Sequence, residues 1–158
     1  MRAAPDRKDE FGASSEPQVG RSEGPIRTRA AIAAATGFVC MAGFEIALAL
    51  GAPLGRAAWG GQNTELQPGL RIASVGSAAL LVFAALIVLG RVGSRFSALP
   101  ATFCRRAIWV LVGILTLGTL MNLASPSPWE RFLQAPIAGV MAVLCFAVAR
   151  GAPPARRR

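Results

Sequence analysis

Histidine and tyrosine are absent from this chain, and cysteine occurs only three times. Cys40, Cys104 and Cys145 stand far apart and form no CxxC pair or other metal-ligand spacing. Without histidine, the chain has no His-ligated haem, no His-containing zinc site and no His-based catalytic triad. We therefore predict neither a metal nor another cofactor, and no catalytic residue.

Charged residues are also scarce. They make up 16% of the chain, whereas 53% of the residues are hydrophobic and the mean hydropathy is +0.47. Soluble domains average about 25% charged residues, and here the apolar residues form long uninterrupted runs, which excludes a soluble globular fold. The net charge of +9 comes from arginines that flank these runs. That pattern indicates membrane topology and contact with anionic lipid headgroups, and it argues against nucleic acid as a partner.

Four apolar runs predict an all-α membrane protein built as a four-transmembrane-helix bundle. The spans cover about residues 30–50, 68–89, 107–123 and 128–149. The first is long enough, at about 1.5 Å per residue, to cross a hydrocarbon core of about 30 Å. A signal peptide is the alternative for this run, but its apolar region would be only about 7–15 residues long.

The segments outside the spans are polar or basic. Residues 1–29 combine prolines, glycines and charges of both signs, which predicts a disordered cytoplasmic tail. A start codon assigned upstream of the true one would give the same composition. Residues 150–158 form a basic cytoplasmic tail. In the 51–67 connection, Leu54 to Trp59 predict a short interfacial helix, and Pro68 suits the first position of the second span.

The distribution of arginine and lysine predicts the orientation. Six lie in residues 1–29, four in the 90–106 connection and four from Arg150 onward, whereas the opposite side carries three. By the positive-inside tendency both termini are cytoplasmic, which predicts a multi-pass protein of the bacterial cytoplasmic membrane. Three tryptophans then fall at the membrane interfaces as anchors: Trp59 and Trp129 outside, Trp109 inside.

Polar residues gather in the outer halves of the spans. Because such groups are costly in hydrocarbon, they are expected to face the bundle interior. Two interpretations stay open: an outward-facing polar pocket that binds a ligand, or hydrogen bonds that only join helix to helix. Thr116 continues the pattern on the third span. The ligand-binding candidates are Glu45, Arg71, Ser74, Ser77, Thr119, Asn122, Arg131 and Gln134.

Glu45 is the charge within the first span, and three interpretations apply to it. It forms an ion pair with Arg71 or Arg131, it serves a proton-coupled or cation-binding site, or its side chain reaches the interface.

The fourth span begins with a helix-start pattern. Ser127 is predicted as the N-cap, Pro128 as the first helical residue and Glu130 as the partner in a capping box. Pro136, inside this span, is predicted to kink the helix and to leave the Phe132 carbonyl without its donor.

Several of these segments resemble a family of uncharacterised four-span bacterial integral membrane proteins. The resemblance covers roughly residues 38–149 and rests on GAPLG at residues 51–55, AWGG at 58–61, LRI at 70–72, LMN at 120–122 and SPWER at 127–131. It implies the four-span architecture and carries no activity, cofactor or catalytic residue.

Small multidrug-resistance transporters offer a second resemblance, because they also have four spans and a glutamate in the first helix, which Glu45 would match. This chain departs from them in its long glycine-rich 51–67 connection and its lack of tyrosine.

The functional prediction is a binding or accessory module in the membrane, with the lipid bilayer, anionic lipid headgroups or another membrane protein as partners. A proton-coupled small-molecule transporter that uses Glu45 is the alternative. A membrane-interface enzyme is a third hypothesis, although the sequence offers no nucleophile–base pair or metal set for it.

Overall fold

Four long helices form the bundle. A computed structural model describes residues 23–59 and 64–151, so the tail predictions for residues 1–22 and 152–158 lie outside it. The helices are α1 (Glu23–Ala49), α2 (Pro68–Arg91), α3 (Ala101–Ala124) and α4 (Ala135–Arg150), with a π-helical turn at Glu130–Gln134 leading into α4. Each, with α4 taken from Glu130, is long and apolar enough to cross a membrane, and no strand occurs in the described ranges. The prediction of an all-α structure with four helices of membrane-spanning length is confirmed for the described residues.

The helices extend past the predicted spans at the end of the bundle that holds both termini, which we call the terminal side. α1 begins seven residues before residue 30, and α3 begins six before residue 107. The added turns contain arginines, which are good helix formers and reach outward on long side chains. Pro25 is tolerated because it stands in the first turn of α1, where no intrahelical donor is needed.

Helix pairing follows the order of the chain. α1 packs along α2, α3 packs along α4, and α1 also contacts α4, whereas α2 and α3 touch more sparsely. The main core lies toward the terminal side and contains many alanines, which let helix backbones approach closely. Its largest fully enclosed side chains include Val88, Ile108 and Val148. Gly37 contributes to this close approach, because a side chain there would meet the sulfur of Met141.

Arginines tie the helix ends together on the terminal side. Arg91 is only 6% exposed, and its Nη2 donates to the carbonyl oxygens of Ala149 at 3.2 Å and Gly151 at 2.7 Å. Arg27 in turn donates from Nη2 to the Arg91 carbonyl at 2.6 Å. The last carbonyls of a helix have no partner within it, and the helix dipole favours a cation there. Each guanidinium therefore caps the end of a neighbouring helix.

We expect Arg91→Ala to destabilise the bundle by about 2–3 kcal/mol, because two carbonyls lose a charged donor. In detergent this corresponds to a fall in Tm of about 4–10 °C. Arg105→Ala is the matched control: Arg105 is exposed on the same side of the bundle and should leave Tm unchanged. Equal Tm values for the two variants would contradict the capping role of Arg91.

Candidate functional site

The first connection, residues 51–67, folds back onto the helices. Leu48, Ala58 and Leu66 form a second buried cluster, with Phe44 and Leu70 packed against it. Burial of these apolar side chains holds both ends of the connection against α1 and α2. A short 3₁₀ turn, Gly55–Ala57, lies between them. We call this end of the bundle the connection side.

The reversal out of α1 is a Schellman motif. Ala52 N–H donates to the Ala47 carbonyl and Gly51 N–H donates to the Leu48 carbonyl. Gly51 adopts a φ of 93°, which glycine permits without strain. The chain therefore turns sharply at Gly51 and directs the connection back over the bundle.

Two side chains from the start of the fourth span hold the connection in place. The Ser127 hydroxyl donates to the Arg56 carbonyl at 3.2 Å, and the Gln134 amide donates to the Ala57 carbonyl. Ser127 remains the residue where the helical backbone begins, because its carbonyl accepts from Arg131 N–H. The hydroxyl proton therefore bonds to the connection, and the prediction that the same oxygen caps this helix stays a prediction.

A π-helical turn precedes Pro136, the residue at which a kink was predicted. Ala135 N–H donates to the Glu130 carbonyl five residues earlier, so the turn from Glu130 to Gln134 is wider than an α-turn. Proline cannot supply the donor that the Phe132 carbonyl would need, and a π-turn is one way in which helices absorb such a break. The side chain of Glu130 accepts a bond from the Ser125 hydroxyl.

Glu45 lies beneath the connection beside a serine and a tryptophan. Ser74 is fully buried, and its Oγ accepts the indole N–H of Trp59 at 3.2 Å. The Glu45 carboxylate interacts with the same Ser74 side chain. Its Oε2 atom, however, is buried and finds no hydrogen-bond partner among the described residues. Burial of a carboxylate oxygen without a donor is costly, which makes Glu45 the chemically exceptional residue of this end.

The two arginines proposed as ion-pair partners of Glu45 are engaged elsewhere. Arg71 donates from Nε to the Leu66 carbonyl at 3.0 Å, and Arg131 donates from Nη2 to the Ser125 carbonyl at 2.8 Å. Each therefore bonds to backbone just before its own helix. Within the described ranges neither arginine pairs with Glu45, so the ion-pair interpretation is wrong.

The remaining candidates divide by helix. Ser77 on α2 and Asn122 on α3 are half-buried. Thr116 and Thr119 donate to the carbonyls of Val112 and Leu115, four residues earlier on their own helix, at 2.8 and 2.7 Å. Thr119 also lines an apolar cavity of about 500 Å³ between α3 and α4. The polar site under the connection is thus built from α1, α2 and the start of the fourth span.

Two features of this site were not predicted from the sequence. Trp59 was predicted as an interfacial anchor without a hydrogen-bond partner, and the Arg56 and Ala57 carbonyls were not predicted as acceptors. A tryptophan at a membrane interface combines an apolar ring with an N–H that needs an acceptor, and this property was the available signal for the bond that Trp59 makes to Ser74. Backbone carbonyls leave no mark in a sequence. No cluster of possible metal ligands occurs in the described part of the chain.

We expect the double variant Ser127→Ala, Gln134→Ala to loosen the first connection while the helices stay packed. Hydrogen exchange of residues 51–59 and 64–67 should rise at least tenfold, because each lost bond contributes about 1 kcal/mol to closing the connection. Thr116→Ala is the control, since that hydroxyl bonds only within α3. Unchanged exchange in the double variant would mean that apolar packing alone holds the connection.

Comparison of the chain with models of known families, with curated proteins and with solved structures finds no match. The resemblance to a four-span bacterial family therefore stays a prediction. Function has to be argued from the geometry of the bundle.

Proposed function

We propose that this protein is a binding or accessory module of the membrane, with a polar site around Glu45 that the first connection covers. The observation that carries the proposal is the buried Glu45 Oε2 atom without a donor. Three polar side chains of this end, Arg71, Arg131 and Gln134, bond to backbone carbonyls. Among the described residues, the Glu45 Oε2 atom is the one buried side-chain acceptor without a hydrogen-bond partner.

The chemistry of the site favours a small ligand that carries a hydrogen-bond donor or a positive charge. A carboxylate oxygen accepts such groups, and a donor reaching Oε2 would remove the cost of its burial. The neighbouring Ser74 hydroxyl and Trp59 ring supply a polar and an apolar contact beside it. Entry from the connection side requires the connection to move, because its apolar residues Ala58 and Leu66 are packed into the bundle.

Proton-coupled transport by Glu45 is the second candidate, since the same oxygen could take up a proton. The terminal half of the bundle argues against a continuous polar path, because its core consists of apolar side chains. Proteoliposomes with an imposed pH gradient separate the two candidates. Proton flux that disappears in Glu45→Gln would select transport over binding.

The orientation that we propose rests on the distribution of charge. The terminal side carries seven described arginines, which are Arg27, Arg29, Arg91, Arg95, Arg105, Arg106 and Arg150. The connection side carries Arg56, Arg71 and Arg131. The positive-inside tendency favours a cytoplasmic terminal side, and therefore a Glu45 site that opens outward in the cytoplasmic membrane of a bacterium.

We expect a fluorescent protein fused after Arg158 to be bright in bacterial cells and alkaline phosphatase fused there to be inactive, because only the former matures in the cytoplasm. The same two reporters inserted after Asn63 should give the opposite result. Matching results at both positions would contradict the three spans, an odd number, that separate residue 63 from residue 158.

We expect Glu45→Gln to raise the Tm of ligand-stripped protein by about 2–4 °C, because the amide keeps the shape and removes an uncompensated charge. Wild-type protein extracted in mild detergent should show an added cationic or amine mass in native mass spectrometry that the variant lacks. Glu65→Gln is the control, since Glu65 is exposed on the first connection. A lower Tm for Glu45→Gln with no added mass on the wild type would contradict the proposal.

A further inference from the structure

An apolar groove opens between α2 and α3 on the terminal half of the bundle. These two helices approach closely at one end, where a side chain at Gly90 would lie 2.6 Å from the Cys104 sulfur. Beyond that point they enclose a cavity of about 1020 Å³. Its sides are residues of α2 and α3, and Phe38 of α1, which is 2% exposed, belongs to its floor. The groove shares no lining residue with the Glu45 site.

The groove has an apolar length and a basic end. Along α3 its lining runs from Phe103 to Leu115, a rise of about 18 Å. This is slightly more than half of a hydrocarbon core of about 30 Å, or about the depth of one leaflet. Thr102 and Arg106 are its polar lining residues, and both belong to the first turns of α3. The polarity of the groove thus matches that of a lipid molecule lying in one leaflet.

Charge at the basic end favours an anionic headgroup. Arg106 is exposed and forms no hydrogen bond or ion pair with another described residue. Arg105 is its neighbour, and Arg95 lies in the adjacent connection. Of the acidic residues in the described ranges, Glu45, Glu65 and Glu130 belong to the connection half, and Glu23, the first residue of α1, is outnumbered on the terminal side by seven arginines. A phosphate at Arg106 would therefore meet positive charge from several directions.

Other occupants fit the groove less well. Residues 1–22 are polar and contain charges of both signs, so they offer no apolar run to fill it. The end of the chain, PPARRR, is basic and would be repelled by Arg105 and Arg106. A helix of a second copy is about 10–12 Å wide, and 18 Å of it occupies roughly 1400–2000 Å³. Only part of its width would enter a groove of about 1020 Å³, whereas a flexible acyl chain can follow the groove along its length.

We propose that the α2–α3 groove binds one anionic phospholipid of the terminal-side leaflet, with an acyl chain along the groove and its phosphate at Arg106. Phe83 and Phe103 contact the acyl chain near its headgroup end. Their ring centroids are 6.1 Å apart across the two helices, and both rings line the groove. The lipid completes the packing between α2 and α3 that the protein leaves open. This site is independent of Glu45, and its test does not depend on the proposed function.

The test uses full-length protein stripped of lipid in detergent and titrated with phosphatidylglycerol or phosphatidylcholine of the same acyl chains. Native mass spectrometry should show one bound phosphatidylglycerol, at least fivefold tighter than phosphatidylcholine, the preference that one arginine near a headgroup provides. Arg106→Gln should remove this preference and Arg106→Lys should restore most of it. Arg29→Gln is the charge control, because Arg29 lies nine residues before Phe38 and so on the opposite face of α1.

A second variant tests the groove itself. Ala107→Phe places a ring among the lining residues and should weaken the binding of both phospholipids at least tenfold. Ala79→Phe, at an exposed position of α2 outside the lining, should weaken the binding of neither. Millimolar inorganic phosphate should not displace the bound phospholipid, since the acyl chain supplies much of the affinity. Three results would each overturn the proposal. They are equal binding of the two phospholipids, displacement of the phospholipid by inorganic phosphate, and a dimer that forms without bound lipid and that Ala107→Phe disrupts.

Discussion

Backbone carbonyls at and between helix ends have no partner within a helix, and the arginine side chains of this bundle donate to several of them. Arg27 and Arg91 cap the carbonyls at the ends of α2 and α4. Arg71 and Arg131 bond carbonyls that precede their own helices. The sequence predicted that these four arginines determine topology or form ion pairs, but their side chains donate to backbone carbonyls. These hydrogen bonds fix how the helix ends meet.

This constraint also explains how far the sequence could be interpreted. Long apolar runs predicted four helices, and Pro68 correctly marked the first turn of α2, because length and helix-start chemistry are local properties. The partners of the polar residues were not predictable in the same way. Ser127 and Gln134 bond to carbonyls more than 70 positions away, and any residue could have supplied those carbonyls. The side chains alone predicted an ion pair between Glu45 and an arginine, whereas Arg71 and Arg131 bond to backbone carbonyls.

The two halves of the bundle differ in how they are completed. On the connection side the chain covers its own polar groups with the first connection, and a single carboxylate oxygen of Glu45 is left over. Toward the terminal side the core of alanines closes α1, α2 and α4 tightly, whereas α3 buries only Cys104 and Ile108. α3 is therefore the helix whose position depends most on the surrounding bilayer. The proposed Glu45 site and the proposed lipid groove therefore lie in different halves of the bundle and share no lining residue.

The π-turn before α4 has a consequence for the register of that helix. An α-helix advances 100° per residue, so the extra residue between Glu130 and Ala135 offsets the two parts of the span by about that angle. Ser127, before the turn, can then bond to the first connection while Met141 and Cys145, after the turn, face the core. Loss of one residue from this turn would restore a regular helix and rotate either Ser127 away from the connection or Met141 and Cys145 away from the core. The span would then keep either its packing in the main core or its hydrogen bond to the first connection. That outcome would decide whether water reaches the Glu45 carboxylate.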